Sequence, residues 1–338
     1  MNDEPAAMNS RGRAVRRSPF AIAALARAAT VSVKKVVMRL VTRGDLDGLT
    51  SAVIVTLKEP IDEIVLVHPQ DITDKKVPIR RDDILANVPY HPDAGIWFDH
   101  HLLTDSNEKP PQNFKGRYRV APSAARLVYE YYLEKSPNDA QLERLGKLVD
   151  ETDRLDSAQL TPDDVNNPRD YILLGYTIDS RTGLGAFEPY FKKLVEWLKT
   201  MPIEEVLRQP EVKERVDRLR SEQDAFKHLL KRNSFQLNNV VITDLREVDR
   251  LPAGNRFLIY TLFPDTNVSL RVHWGPARHS VIAAVGHSIF NRTCKTSVGD
   301  LMSKFGGGGH QGAGTCVLPL DKAAEAIDEI LFELQANG

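Results

Sequence analysis

The chain has 338 residues, 42% of them apolar and 27% charged, and a net charge of −1. This is the composition of a globular protein with room for two domains. It excludes an apolar run of membrane-spanning length, and the near-neutral balance excludes a global field that recruits a long polyanion, so phosphate recognition has to be local.

Residues 1–35 include NSRGRAVRRSPFAIAALARAAT, rich in Arg and Ala and nearly free of acid; they are expected to be a disordered extension or an over-long start. Folded sequence begins at KKVVMRLVT. VVMRLVT (36–42) reads as a buried strand, GDLDG (44–48) breaks it, LTSAVIVTLK (49–58) reads as a helix and IDEIVLVHP (61–69) as a second strand. DDILANVP (82–89) and GIWFD (95–99) are further short apolar runs. Strand, loop, helix, strand is the pattern of a mostly parallel sheet with covering helices. From 122 to about 200 the pattern is helical, in PSAARLVYEYYLEK, DAQLERLGKLVDETDRLD and FEPYFKKLVEWLK, with Pro122 and Asn138 as start signals. Residues 211–232 form a charged amphipathic helix whose stripe of Val212, Val216, Leu219, Phe226 and Leu230 fits a linker or, equally, a homodimer contact. A strand-rich block follows (FQLNNVVITDL, NRFLIYTLF, NVSLRVHW, HSVIAAVG), then a Gly-rich loop and a last helix, DKAAEAIDEILFELQ. The expected division is 36–190, an α/β domain with a mostly parallel sheet; 191–234, a helical linker; and 235–338, a smaller α/β domain. Cys294 and Cys316 form neither a CxxC nor a disulfide framework, which fits a reducing cytoplasm.

Three stretches carry chemistry. In a parallel sheet, ligands bind at the carboxyl ends of the strands, and GDLDG sits at such an end. Asp45 and Asp47 can both lean into a crevice there if Leu46 turns back to the core. GIWFDHH ends another apolar run with Asp99, His100 and His101. Two strand ends of one sheet then deliver five polar side chains to one place, and bringing three carboxylates together without a cation costs heavily through like-charge repulsion. Carboxylates with imidazoles are a ligand set for manganese, magnesium or iron rather than a structural zinc. The third stretch is KFGGGGHQGAGTC (304–316). Consecutive glycines are hard to justify by packing, but they permit close backbone approach to an anion, and His310 adds a proton donor.

In this order and spacing the three stretches resemble the DHH phosphoesterase superfamily. DLDG looks like its first motif, DHH is its namesake, and GGGGHQGAG looks like the glycine-rich loop of the associated C-terminal substrate-binding domain. The resemblance spans roughly 38–335, and GIWFDHH, GHSIFNRT and VGDLMSKFGGGGHQGAGTC are most similar to an exopolyphosphatase-related branch. It implies two Mn2+ or Mg2+ ions at the strand ends and in-line attack of activated water on phosphorus. By motif match, Asp45, Asp47 and His100 are metal ligands, Asp99 orients the site and His101 holds a substrate phosphate. A further aspartate comes from the helical part: Asp153 is the choice, with Asp156 and Asp179 as alternatives. Arg292 in FNRT, with Gly307, Gly308, Gly309 and His310, is expected to grip the far phosphate or base.

Two positions depart from the family pattern. Arg43 stands where the first motif carries a histidine, and Asn87 (or, by another alignment, Asp71) stands for a bridging aspartate. The expected function is a metal-dependent phosphohydrolase acting on a small phosphate-rich substrate: polyphosphate, a nucleotide or a short single-stranded oligonucleotide. The near-neutral charge disfavours a long duplex. The alternative is a catalytically weakened nucleotide- or phosphate-binding module with a degenerate metal site.

Overall fold

The apolar runs that follow residue 36 become the strands of a single sheet. In a computed structural model, which describes residues 37–101, 111–178, 186–252 and 254–337, they are β1 (Arg39–Thr42), β2 (Glu63–Leu66), β3 (Ile84–Ala86), β4 (Ile96–Asp99) and β5 (Gly116–Tyr118). The expected extension (1–35) and Asp179 lie outside the described residues. Helices α1 (Leu46–Lys58) and α2 (Pro69–Thr73) lie between these strands in sequence. All pairings are parallel, in the order β2-β1-β3-β4-β5. The chain leaves β1 toward one side and returns through β3 to the other, so the gap at the carboxyl ends of β1 and β3 is the topological switch point, where open α/β sheets bind ligands.

Both sheet faces are covered, as the near-continuous apolar strands require. Leu40 and Phe98 face a core built with α1 and the helices α3 (Ala124–Lys135), α4 (Ala140–Arg144), α5 (Gly146–Asp156), α6 (Pro162–Asn166), α7 (Asp170–Thr177), α8 (Phe187–Thr200), α9 (Ile203–Arg208) and α10 (Pro210–Asn233), of which α6 alone contributes nothing to that cluster. Val41, Leu85 and Trp97 face the other side. Trp97 stacks on Tyr118 at 5.0 Å and donates its indole N–H to the Val88 carbonyl at 2.9 Å. Truncating a buried aromatic of this kind costs about 3–5 kcal/mol, so β4, which ends in Asp99, is held firmly from both faces. At the amino ends of β1 and β3 the buried Arg39 and Asp83 form a two-pronged ion pair, far from the switch point along the strands.

Helix starts differ slightly from the expected ones. Pro122 and Asn138 each precede the true cap by one residue: Ser123 accepts the Arg126 N–H, and Asp139 accepts those of Gln141 and Leu142. Proline cannot supply a capping oxygen, whereas Ser and Asp can. The stripe on α10 is consumed inside the chain: Val212 and Val216 join the first core, and Phe226 and Leu230 pack with Leu160, Val165, Ile172 and Leu258. Leu219, the fifth residue, is half-buried, so the stripe offers no continuous free face for a dimer contact.

The C-terminal part carries β6 (Ser234–Leu237), β7 (Val240–Asp244), α11 (Leu258–Leu262), β8 (Val268–Trp274), β9 (Ser280–His287), α12 (Val298–Ser303), β10 (Gly308–His310), β11 (Ala313–Pro319) and α13 (Ala323–Ala336). Its six-stranded sheet has the order β10-β11-β9-β8-β7-β6. NRFLIYTLF, expected as a strand, contains helix α11. Leu258, Ile259 and Tyr260 are all buried, so the run shows no alternation, and a short apolar run buried on every side does not reveal its period. As a helix it provides the crossover that lets β7 and β8 pair in parallel. Among the described residues no helix is long and apolar enough to cross a membrane.

Candidate active site at the sheet switch point

The first strand ends at Thr42, and the turn that follows is forced by sequence. Asp45 caps α1 by accepting the Gly48 N–H at 2.9 Å. A Cβ on Gly48 would lie 1.9 Å from the Arg43 carbonyl, so only glycine lets the helix start this close to the strand. Leu46 is buried in the first core, as expected, and Asp45 and Asp47 both line the cleft.

Asp47 is fully buried, and its two oxygens accept the N–H groups of Ala124 (2.9 Å) and Ala125 (2.6 Å) at the start of α3. A helix N-terminus favours a carboxylate there. Burial opposes it, as do the nearby carboxylates of Asp156 and Asp45, and together they hold the Asp47 carboxyl well above its ordinary range. Asp156, at the end of α5, is pushed up to about 6, first by burial and then by Asp45, against the pull of His100. A cation among these groups reverses that balance.

His100 fixes the reading. Its Nδ1 lies 3.0 Å from the Ala121 carbonyl, which can only accept, so the neutral ring carries its proton at Nδ1. Nε2 then presents a lone pair 3.3 Å from Asp156 and 3.5 Å from Asp47, is buried, and has no hydrogen-bond partner. Three acceptors facing one another without a donor fit a bound cation: Asp47, His100 and Asp156 could hold a metal ion from three sides. A set of two carboxylates and one imidazole suits Mn2+ or Mg2+.

The remaining members of the triplet act on each other. Asp99 Oδ1 accepts the His100 N–H at 2.9 Å and approaches His101 Nδ1 at 2.8 Å. That hydrogen bond raises the His101 pKa above the ordinary value, against burial. His101 is half-exposed at the cleft, whereas Asp99 is buried behind it.

Some expected residues lie elsewhere. Asp153 accepts from Ser123 at 2.6 Å and from Arg126 at 2.7 Å, and is not among the cleft residues; Asp156, one turn on, takes its place. Asn87, at the end of β3, donates to Asp45 at 3.0 Å, while Asp71 accepts at the start of α2 and pairs with Lys76. Arg292 donates to the carbonyls of Ile289 and Ala158 and does not line the cleft.

The glycine-rich stretch is not a loop but a hairpin, β10 and β11. Packing explains part of it: a Cβ on Gly307 would meet the Thr315 carbonyl at 2.2 Å, and one on Gly309 (φ +159) the Ala313 carbonyl at 2.2 Å. Gly307, Gly308 and Gly309 are outside the cleft lining; His310 is within it. The His310 Nδ1 accepts the Gly312 N–H at 3.2 Å, which leaves Nε2 to donate in the neutral ring.

The cleft measures about 1460 Å³ and has walls from both sheets' surroundings. It also brings in His68, Asn167, Arg169, Arg220, Asn255 and Arg256, which sequence reasoning missed. They come from scattered loops and from the polar side of α10, with no motif to mark them.

No family model and no curated protein matches the chain. Solved structures do. The pGpG-specific phosphodiesterase PggH from Vibrio cholerae is 38% identical, superposes with a TM-score of 0.77, and the match covers 89% of this chain and 100% of that one. The DHH domain of a member of a ribosomal-protein family shares the fold at 14% identity and TM-score 0.58, over 88% of this chain and 87% of that one. RecJ from Thermus thermophilus, solved with Mn2+, does so at 13% identity and TM-score 0.50, over 87% of this chain and 52% of RecJ. With the Asp-His-His strand end at a parallel-sheet switch point and a relative of 38% identity matched along its whole length, the chain belongs to the DHH superfamily of phosphoester hydrolases.

Proposed function

We propose that the chain is a cation-dependent phosphodiesterase acting on a short linear oligonucleotide, with pGpG as the leading substrate. The observation that carries the reading is the buried His100 Nε2, aimed without a partner between the carboxylates of Asp47 and Asp156. The similarity to a phosphodiesterase named for pGpG supports the substrate class. A cleft of about 1460 Å³ exceeds the roughly 300–1,000 Å³ of ordinary small-molecule sites and accommodates a dinucleotide.

Asp47, His100 and Asp156 would hold Mn2+ or Mg2+. When bound, such an ion polarises a phosphoryl oxygen and lowers the pKa of water. The chain's own groups do the rest. Asp99 fixes the His101 ring and favours its protonated form, which places a positive charge beside a substrate phosphate. His310, from the second sheet, donates from Nε2 across the cleft. Two free cysteines support a reducing, cytoplasmic setting.

The test is a substrate panel of pGpG, polyphosphate, pyrophosphate and short oligonucleotides, each with Mn2+, Mg2+ or chelator. Cleavage of pGpG that requires the ion, and falls by about 100-fold or more in folded His100→Ala, is expected. Full activity in chelator, or in folded His100→Ala, contradicts the proposal. Binding of pGpG without turnover would favour the weakened binding module instead.

A further inference from the structure

Two groups of acidic side chains meet at the switch point, and they differ in one respect. Around His100 no side-chain donor stands between the facing atoms: Nε2 has no partner, and the Asp47 oxygens accept only backbone N–H groups. Around Asp45 both oxygens of the carboxylate are already served, although the buried Asn87 Oδ1 beside it has no hydrogen-bond partner. The Asp45 Oδ2 lies 3.0 Å from Arg43 Nε, and its Oδ1 accepts from Gly48 N–H at 2.9 Å and from Asn87 Nδ2 at 3.0 Å. Asn87 is 1% exposed and adopts φ +59, a conformation that Asn tolerates better than most residues. Its amide orientation is fixed by charge: the reverse would set Oδ1 against the Asp45 carboxylate. A carboxylate at position 87 would repel Asp45 unless a cation stood between them. The neutral amide lets the two side chains close up without one. Arg43 remains 45% exposed and lines the cleft with His101 and His310, so the rest of its guanidinium is available to a ligand.

We propose that the site takes one divalent cation per chain, at Asp47, His100 and Asp156, and that Arg43, anchored by Asp45, supplies the second positive charge to the substrate phosphate. The proposal rests on the metal reading above. A guanidinium keeps its charge at every working pH and binds phosphate through paired N–H groups. It has no lone pair for a metal. Held against Asp45, it also repels a cation from that carboxylate, which without a second carboxylate at position 87 is too poor a ligand set to hold one tightly.

The experiment uses the full chain, stripped with chelator and titrated with Mn2+, with free ion followed by electron paramagnetic resonance and bound metal by elemental analysis. Circular dichroism establishes that each variant is folded. One tightly bound Mn2+ is expected for the unmodified chain and for Arg43→Ala, and two for Arg43→His combined with Asn87→Asp; the single variant Arg43→His gives an intermediate, weaker second site. Arg43→Ala should lower kcat for pGpG by about 100-fold, and Arg43→Lys should restore part of it. Two tight Mn2+ ions in the unmodified chain, one in the folded double variant, or an unchanged kcat in Arg43→Ala would each overturn the inference while leaving the metal reading standing. No bound Mn2+ at all would overturn both.

Discussion

Asp153 and Asp156 sit three residues apart on α5, yet their carboxylates meet different neighbours. Positions three apart lie on one side of a helix, so the sequence DETDRLD could not say which reaches the cleft. Asp153 is taken by Ser123 and Arg126, while Asp156 stands beside His100. Asp156→Asn should therefore abolish Mn2+ binding without loss of fold, because it relieves crowding among neighbouring carboxylates. Asp153→Asn should keep Mn2+ but cost about 1–3 kcal/mol, since it weakens the partner of a part-buried arginine. Mn2+ titration paired with urea unfolding of both variants checks this; metal loss in Asp153→Asn and not in Asp156→Asn would reverse the assignment. The strand-end residues Asp45, Asp47, Asp99, His100 and His101 were legible because a parallel strand's carboxyl end fixes where its next residues go. Arg292 was misplaced because a motif does not report that a guanidinium is satisfied by local carbonyls.

Short apolar runs were legible as buried elements, but their period was not. β1, β3 and β4 showed as short apolar runs, and α10 as an amphipathic stripe, whereas α11 gave no alternation to read. The glycine hairpin failed for another reason: glycines that permit close packing and glycines that cradle an anion look alike in sequence. Their geometry separates them. Gly308 has nothing within 4 Å of the place a Cβ would occupy, while Gly309 combines φ +159 with a carbonyl 2.2 Å from that place. Gly309→Ala should destabilise the protein by about 1–3 kcal/mol, and Gly308→Ala should change stability by about 1 kcal/mol or less. Thermal unfolding of the two variants measures it, and equal losses would contradict the packing account.

The cleft joins walls that are distant in sequence: the switch point of the first sheet, the polar side of α10, the turn before α11 and the hairpin that carries His310. Hydrogen bonds tie the two parts together, with Asn255 donating to Tyr176 at 2.6 Å in the cleft and Arg292 to the Ala158 carbonyl at 2.8 Å outside it. Such long-range convergence depends on loop paths, which is why Asn255 and Arg256 escaped the sequence reading. The chemistry of the site depends on whether a cation sits where Asp47, His100 and Asp156 face one another. Anomalous diffraction at the manganese edge, from crystals grown with Mn2+, tests this most directly. The expected result is a single peak in bonding contact with Asp47, His100 Nε2 and Asp156, and no second peak at Asp45 beside Arg43. Absence of a peak among those three residues, or a peak bound by Asp153 instead, would contradict it.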